Sequence, residues 1–285
     1  MKFFLFLIFL LFPLISNAQQ KFLPENNLDL EDYGFSGNGM TEEIFNSAIE
    51  ESQRIFAPIV KKLGARLEIA GDWNKSTVNA YASQSGGVWH VQMFGGLARR
   101  SEVTPDGFLL VIGHEIGHHV GGFPFYPKSW AAAEGQSDIS ATHVFAKKMW
   151  ENTIKTKLTR DALYPGVVVQ MCDDAYDKIG YQNRCYRSLM ASMSLAQLLR
   201  SLSKEEDVRF DTPDQTCVRK TNTSYPRTVQ SRLDSMIAGA LCPVKWEYDN
   251  IPKGERPSTY VFCWEQNYPE YSRPKSWFRP KIVDP

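Results

Sequence analysis

Residues 111–122 read "VIGHEIGHHVGG" and hold three of the five histidines in the chain. On a helix, His114 and His118 lie four apart, so both imidazoles project from one face. Two imidazoles so placed can bind one metal ion. Glu115, a quarter-turn away, can reach a water on that metal and take its proton, which is the chemistry that the spacing H-E-x-x-H carries. His119 points about 100° from His118 and would have to distort the helix to join them. The segment is otherwise apolar. A glutamate and two histidines buried in it would be costly unless something satisfied them.

A catalytic zinc site takes three protein ligands and keeps one position open. The stretch "WAAAEGQSDISATH" offers Glu134, Asp138 and His143. Glu134 and Asp138 share a helix face; His143, about half a turn round from Glu134, faces away. One acid can bind the metal while the other accepts a hydrogen bond from a ligating imidazole. Ala131–Ala133 and Gly135 are small enough for the second helix to approach the first.

The elements that must position these groups are legible in part. Thr104-Pro105-Asp106 is a helix start, with a cap, a proline at the first position and an acid, and Gly121-Gly122 is a stop. Thr41 caps a further helix that Pro58 can kink and Gly64 can end. "ARLEIA" and "GVWHVQM" read as strands, with Trp89, Val91 and Met93 on one face of the latter. "SQSGG" reads as a turn, and "VNAYAS" lies along or beside the resulting small antiparallel sheet. Further helices are expected over 129–151, 181–203 and 228–240. The fold class expected is α+β, mostly helical.

The first residues, "MKFFLFLIFLLFPLISNAQQ", have the layout of a secretory signal peptide with cleavage after Ala18. The apolar run Phe3–Ile15 is too short to cross a bilayer, which needs about 20 residues. The organisation expected is a signal at 1–18, an extended arm at 19–40, a domain at 41–242 and a Pro/aromatic-rich tail at 243–285 packed on it. Removing the signal leaves 31 basic and 32 acidic residues, since Lys2 departs. This balance, with no basic run, gives no sign of nucleic-acid binding. No stable membrane insertion is expected after cleavage. Export would place the chain in the periplasm or outside the cell, where disulfides form. The five cysteines contain no C-x-x-C pair, so two disulfides and one thiol are expected. Closeness in sequence suggests Cys172 with Cys185 and Cys242 with Cys263. Oligomeric state is open.

H-E-x-x-H followed by E-x-x-x-D resembles the pattern of the gluzincin metallopeptidases. "VNAYASQSGGVWHVQMFGGLARR" is similar to a strand region of the family that includes the CAAX prenyl-protein endopeptidases, the heat-shock membrane proteases and the periplasmic proteases of outer-membrane assembly. The resemblance covers about residues 40–150, with a weaker echo near 225–235. It implies a zincin-type domain with one Zn2+ per chain, held by His114, His118 and Glu134. It further implies Glu115 as base and Asp138 as support for a ligand. The strand Asn79, Ala80, Tyr81 and Ala82 would line the cleft and pair with an extended peptide or protein substrate. Family members often carry His-Pro and then an arginine late in the domain. Here Tyr225-Pro226 stands in that place, with Arg232 one position further than that spacing expects, and the Tyr225 phenol would donate to the oxyanion. The 15-residue gap between His118 and Glu134, and the absence of transmembrane helices, depart from many members. Two rivals remain: an exported zinc-binding chaperone-like protein of the same fold that cleaves little, and a structural protein whose His/Glu cluster is a core network without metal.

Overall fold

The computed structural model describes residues 19–31, 39–151, 163–203, 205, 207–246, 263 and 268–280. The expected signal peptide lies outside them. The architecture is α+β. Four strands form one sheet: β1 (Gln20–Lys21), β2 (Arg66–Asp72), β3 (Ala80–Ser85) and β4 (Val88–Phe94), in the order β1-β3-β4-β2. The sheet is mixed, not antiparallel as expected. Gly86 and Gly87, both at positive φ, make the tight turn that sets β4 antiparallel to β3. The connection 73–79 carries the chain past one strand position, and β4 fills the gap, running parallel to β2. "VNAYAS" supplies an interior strand, and the first residues of the expected arm add β1 to its free edge.

Helix α1 (Glu42–Lys62) packs on β2. Thr41 caps it by accepting from the Ile44 N–H, Glu42 and Glu43 sit at its positive end, and it runs through Pro58 to Gly64 at positive φ. A single turn, α2 (Gly95–Ala98), follows the sheet. Helix α3 (Pro105–Val120) carries the histidines. Thr104 accepts from the Gly107 N–H, and Gly121 follows the last turn. One face of α3 meets β3, and the others meet α4 (Glu134–Ser140), its continuation as a π-helical segment (Ala141–Ala146), and α7 (Ile179–Ser201). A bidentate pair from Arg187 to Asp106, at 2.6 Å for each bond, ties α3 to α7. A short α5 (Lys147–Met149) closes the second helical run.

That run begins at Glu134, not near Ser129. Residues 129–133 stay outside the helix instead: Ala132 bridges to Phe125 and donates its N–H to the His118 carbonyl at 2.9 Å. The small residue that admits the second helix is Gly117, where a Cβ would lie 2.7 Å from Ser137 Oγ and 2.8 Å from its carbonyl. Gly135 serves a different neighbour, since a Cβ there would meet the Trp277 ring at 2.4 Å.

Helix α6 (Gly166–Ala175) was not read in the sequence; α7 and α8 (Val229–Leu241) lie where helices were expected. Cys172 and Cys185 are at disulfide distance and join α6 to α7. Cys242 and Cys263 form the second pair, and Cys217 is a free, exposed thiol. The described end of the tail buries Trp277 completely, with its indole N–H donating to Ser235 Oγ on α8. No helix among the described residues is long and apolar enough to cross a membrane.

Candidate metal centre

His114, Glu115, His118, Glu134 and Asp138 are all buried, at 0–1 % exposure. His114 and His118 come from the middle of α3, and Glu134 and Asp138 from the first turns of α4. The donor atoms of His114, Glu115 and His118 lie within 4.8 Å of one another, a group that could hold a metal ion. Glu134 completes the convergence: its carboxylate lies 3.3 Å from His114 Nε2 and 3.6 Å from His118 Nε2. Two ligands at 2.0–2.1 Å from a tetrahedral zinc stand about 3.3 Å apart.

The outer nitrogens fix which lone pairs face inward. His118 Nδ1 lies 2.8 Å from the Ala132 carbonyl, which only accepts, so Nδ1 carries the proton and Nε2 presents a lone pair. His114 Nδ1 likewise lies 2.8 Å from Asp138 Oδ1. Asp138 is held in turn by Arg232, whose Nε donates to Oδ2 at 2.5 Å and whose Nη2 donates to Oδ1 at 2.8 Å. Arg232 Nη1 also stands 3.4 Å from Glu134 Oε2. The Tyr126 hydroxyl donates to Glu134 Oε1 at 2.5 Å.

Inside this shell, His114 Nε2, His118 Nε2, Glu134 Oε2 and both Glu115 oxygens are buried without a hydrogen-bond partner. Leaving polar atoms unpartnered in a core costs about 1–3 kcal/mol each. Unpartnered atoms clustered at His114, Glu115 and His118 fit a group that could hold a metal ion.

The electrostatics sort the groups. Burial opposes charge on His114, but the Asp138 and Glu134 carboxylates outweigh it and raise its pKa to about 9, so a metal binding at Nε2 would displace a proton there. Burial drives His118 down to about 4, against the pull of Glu134. Burial raises Glu115 to about 8, with Glu134 adding to the rise and His114 and Arg232 opposing it. Burial also opposes ionisation of Glu134 and Asp138, yet both are held below the ordinary carboxylate range, Glu134 by the two imidazoles and Arg232, and Asp138 chiefly by Arg232.

His119 and His143 stand apart. His119 is stacked between Trp89 and Trp130, at ring separations of 5.1 and 4.6 Å, with Nδ1 on Gln84 Nε2 at 3.1 Å. His143 meets Lys147 Nζ at 3.0 Å. Ala80, Tyr81 and Ala82 lie on β3, which contacts α3, with Asn79 just before it. The Asn79 side chain is engaged internally, accepting from the N–H groups of Leu23 and Ala80. The Tyr225 hydroxyl lies 2.7 Å from the Lys21 carbonyl and 3.1 Å from that of Leu23.

Two contributors were missed in the sequence as partners of the site. Tyr126 sits in a proline-flanked loop with no local signal of its contact to Glu134. Arg232 was noticed only for its place after Tyr225-Pro226, and its i, i+94 pairing with Asp138 has no sequence signature. No protein-family model matches this chain, and neither the curated proteins nor the solved structures contain a match to it.

Proposed function

We propose that the protein is an exported zinc metalloendopeptidase, with His114, His118 and Glu134 as ligands and Glu115 as general base. The observation that carries this reading is the buried group of His114, Glu115 and His118, whose donor atoms lie within 4.8 Å of one another and whose Nε2 atoms and glutamate oxygens have no hydrogen-bond partner. The H-E-x-x-H and E-x-x-x-D spacing and the resemblance built on it point the same way, and the two disulfides suit an oxidising compartment. Bound zinc polarises the scissile carbonyl and lowers the pKa of its water.

Every other role falls to the chain. Asp138 and Arg232 hold His114 in the tautomer that presents Nε2, and the Ala132 carbonyl does so for His118. Tyr126 orients Glu134. Water adds across the peptide bond: its oxygen bonds the carbonyl carbon, the Glu115 carboxylate takes one proton, and the carbon–nitrogen bond breaks as that proton passes to the leaving amine. The Tyr225 hydroxyl donates to the carbonyl oxygen as negative charge gathers there. β3 holds the peptide extended by strand addition.

The test pairs zinc content with casein cleavage for residues 19–285 and its Glu115→Gln variant. Both should hold about one zinc, since no ligand is touched, and only the parent should cut. Zinc in both with cleavage by neither would sink the peptidase and favour the binding-protein rival.

A further inference from the structure

Residues Gln20–Leu23 run along the strand that the peptidase reading assigns to substrate. Gln20 and Lys21 pair antiparallel with Ala82 and Tyr81. The Phe22 N–H donates to the Ala80 carbonyl at 3.1 Å. The Leu23 N–H donates to Asn79 Oδ1 at 3.0 Å, and Asn79 Nδ2 donates back to the Leu23 carbonyl at 3.3 Å. From the opposite side, the Tyr225 hydroxyl donates to the Lys21 carbonyl at 2.7 Å and Arg232 Nη1 to that of Phe22 at 3.4 Å. The Phe22 side chain is fully buried, with its ring edge-on to His114 at 5.1 Å and the Arg232 guanidinium 5.4 Å from its centre.

An edge strand that merely completed a sheet would need only the backbone pairing to β3. This one also engages the phenol and the guanidinium that stand beside the candidate ligands. Its Lys21 carbonyl accepts from the hydroxyl assigned to the oxyanion, and its Phe22 ring meets the His114 ring.

We propose that Gln20–Leu23 occupies the substrate groove as a bound peptide would, so that the resting protein is self-occluded, and that the groove takes extended peptides with a large apolar side chain directly after the carbonyl held by Tyr225. This rests on the peptidase reading. Two bridged residues of strand are a short hold, which a competing peptide can displace.

The register gives the test, because Gln20 faces Ala82. In a zinc-loaded chain carrying Glu115→Gln, so that bound peptide is not cut, Gln20→Cys with Ala82→Cys would lock the arm. Cys217→Ser removes the exposed competing thiol. The probe is a fluorescein-labelled Gln-Lys-Phe-Leu-Pro peptide, read by polarisation before and after reductant, with the same chain lacking the cysteine pair as control. Reduction should strengthen binding to the pair at least about tenfold and leave the control unchanged. A peptide with alanine in place of phenylalanine should bind the open form about tenfold more weakly or worse, in line with the loss of a buried aromatic side chain.

Hydrogen exchange on the unlocked chain provides a second readout: saturating peptide should speed exchange at the amides of residues 20–23. Equal binding to locked and reduced forms, binding by neither, or bound peptide with unchanged arm exchange would each overturn the proposal. Casein cleavage by the parent is scored separately. A parent that cuts casein while locked and open forms bind alike rejects the occlusion and keeps the peptidase. A parent that cuts nothing, with peptide binding gated by the lock, rejects the peptidase and keeps the occluded groove.

Discussion

Asp138→Ala separates the support of the site from its ligands. Asp138 is 1 % exposed and accepts two charge-assisted bonds from Arg232 and one from His114 Nδ1. Its removal leaves the Arg232 guanidinium buried, with Glu134 Oε2 at 3.4 Å as its remaining carboxylate neighbour. Breaking a buried ion pair by removing one partner costs about 3–5 kcal/mol. A domain of this kind has a total stability of about 5–15 kcal/mol, so the variant should fold but melt several degrees lower. The second effect is on the metal. Without its acceptor the His114 ring is free to turn and to change tautomer, and losing such a partner typically weakens metal binding 10- to 100-fold, or about 1.4–2.7 kcal/mol. The assay is a zinc competition titration against a chelator, with thermal melts of the apo and zinc-loaded forms run alongside. The zinc-dependent gain in melting temperature should shrink with the affinity. Parent-like zinc affinity in a destabilised Asp138→Ala chain would refute the reasoning, because Asp138 would then serve packing alone.

Tyr126→Phe removes the hydroxyl that orients Glu134; a hydrogen bond to a charged group contributes about 1.5–3 kcal/mol, and calorimetry should show zinc affinity reduced about tenfold with stoichiometry kept. Cys172→Ala with Cys185→Ala opens a link between residues 13 apart, which costs about 3 kcal/mol and should appear as a lower denaturation midpoint in urea without loss of zinc. Asp234 is buried, and burial raises its carboxyl to about 6 despite bonds from Gln230 and the Asp214 N–H. A carboxyl with its folded pKa raised costs stability as pH climbs from about 4 to about 6 and continues to cost it above. Asp234→Asn should therefore stabilise the chain by about 1–2 kcal/mol at pH 7.5 and show no gain at pH 3.5, as measured by urea unfolding at the two pH values.

What the sequence disclosed was local. The start and end of α3 follow from Thr104, Pro105 and the Gly121-Gly122 pair, and helical geometry then fixes His114 and His118 on one face. The same geometry kept His119 out of the cluster, where two tryptophans hold it. Contacts between distant segments were opaque. Whether β4 ran parallel or antiparallel to β2 depended on the path of residues 73–79, which carries no periodic signal. Residues 129–133 are rich in alanine and would extend a helix by propensity, yet the His118 carbonyl and Phe125 hold Ala132 out of one. Close packing rested on Gly117, while the nearby Gly135 made room for Trp277 from a tail more than 130 residues later. Tyr126 and Arg232 reach the site through the same long-range packing.

The central claim is that the buried cluster exists to hold one metal ion, and zinc stoichiometry tests it most directly. Residues 19–285, stripped with chelator and then dialysed against zinc, should hold about one equivalent, and His114→Ala with His118→Ala should hold none, since one protein ligand remains. A folded parent that takes up no zinc, or a double variant that takes up as much as the parent, would contradict the account.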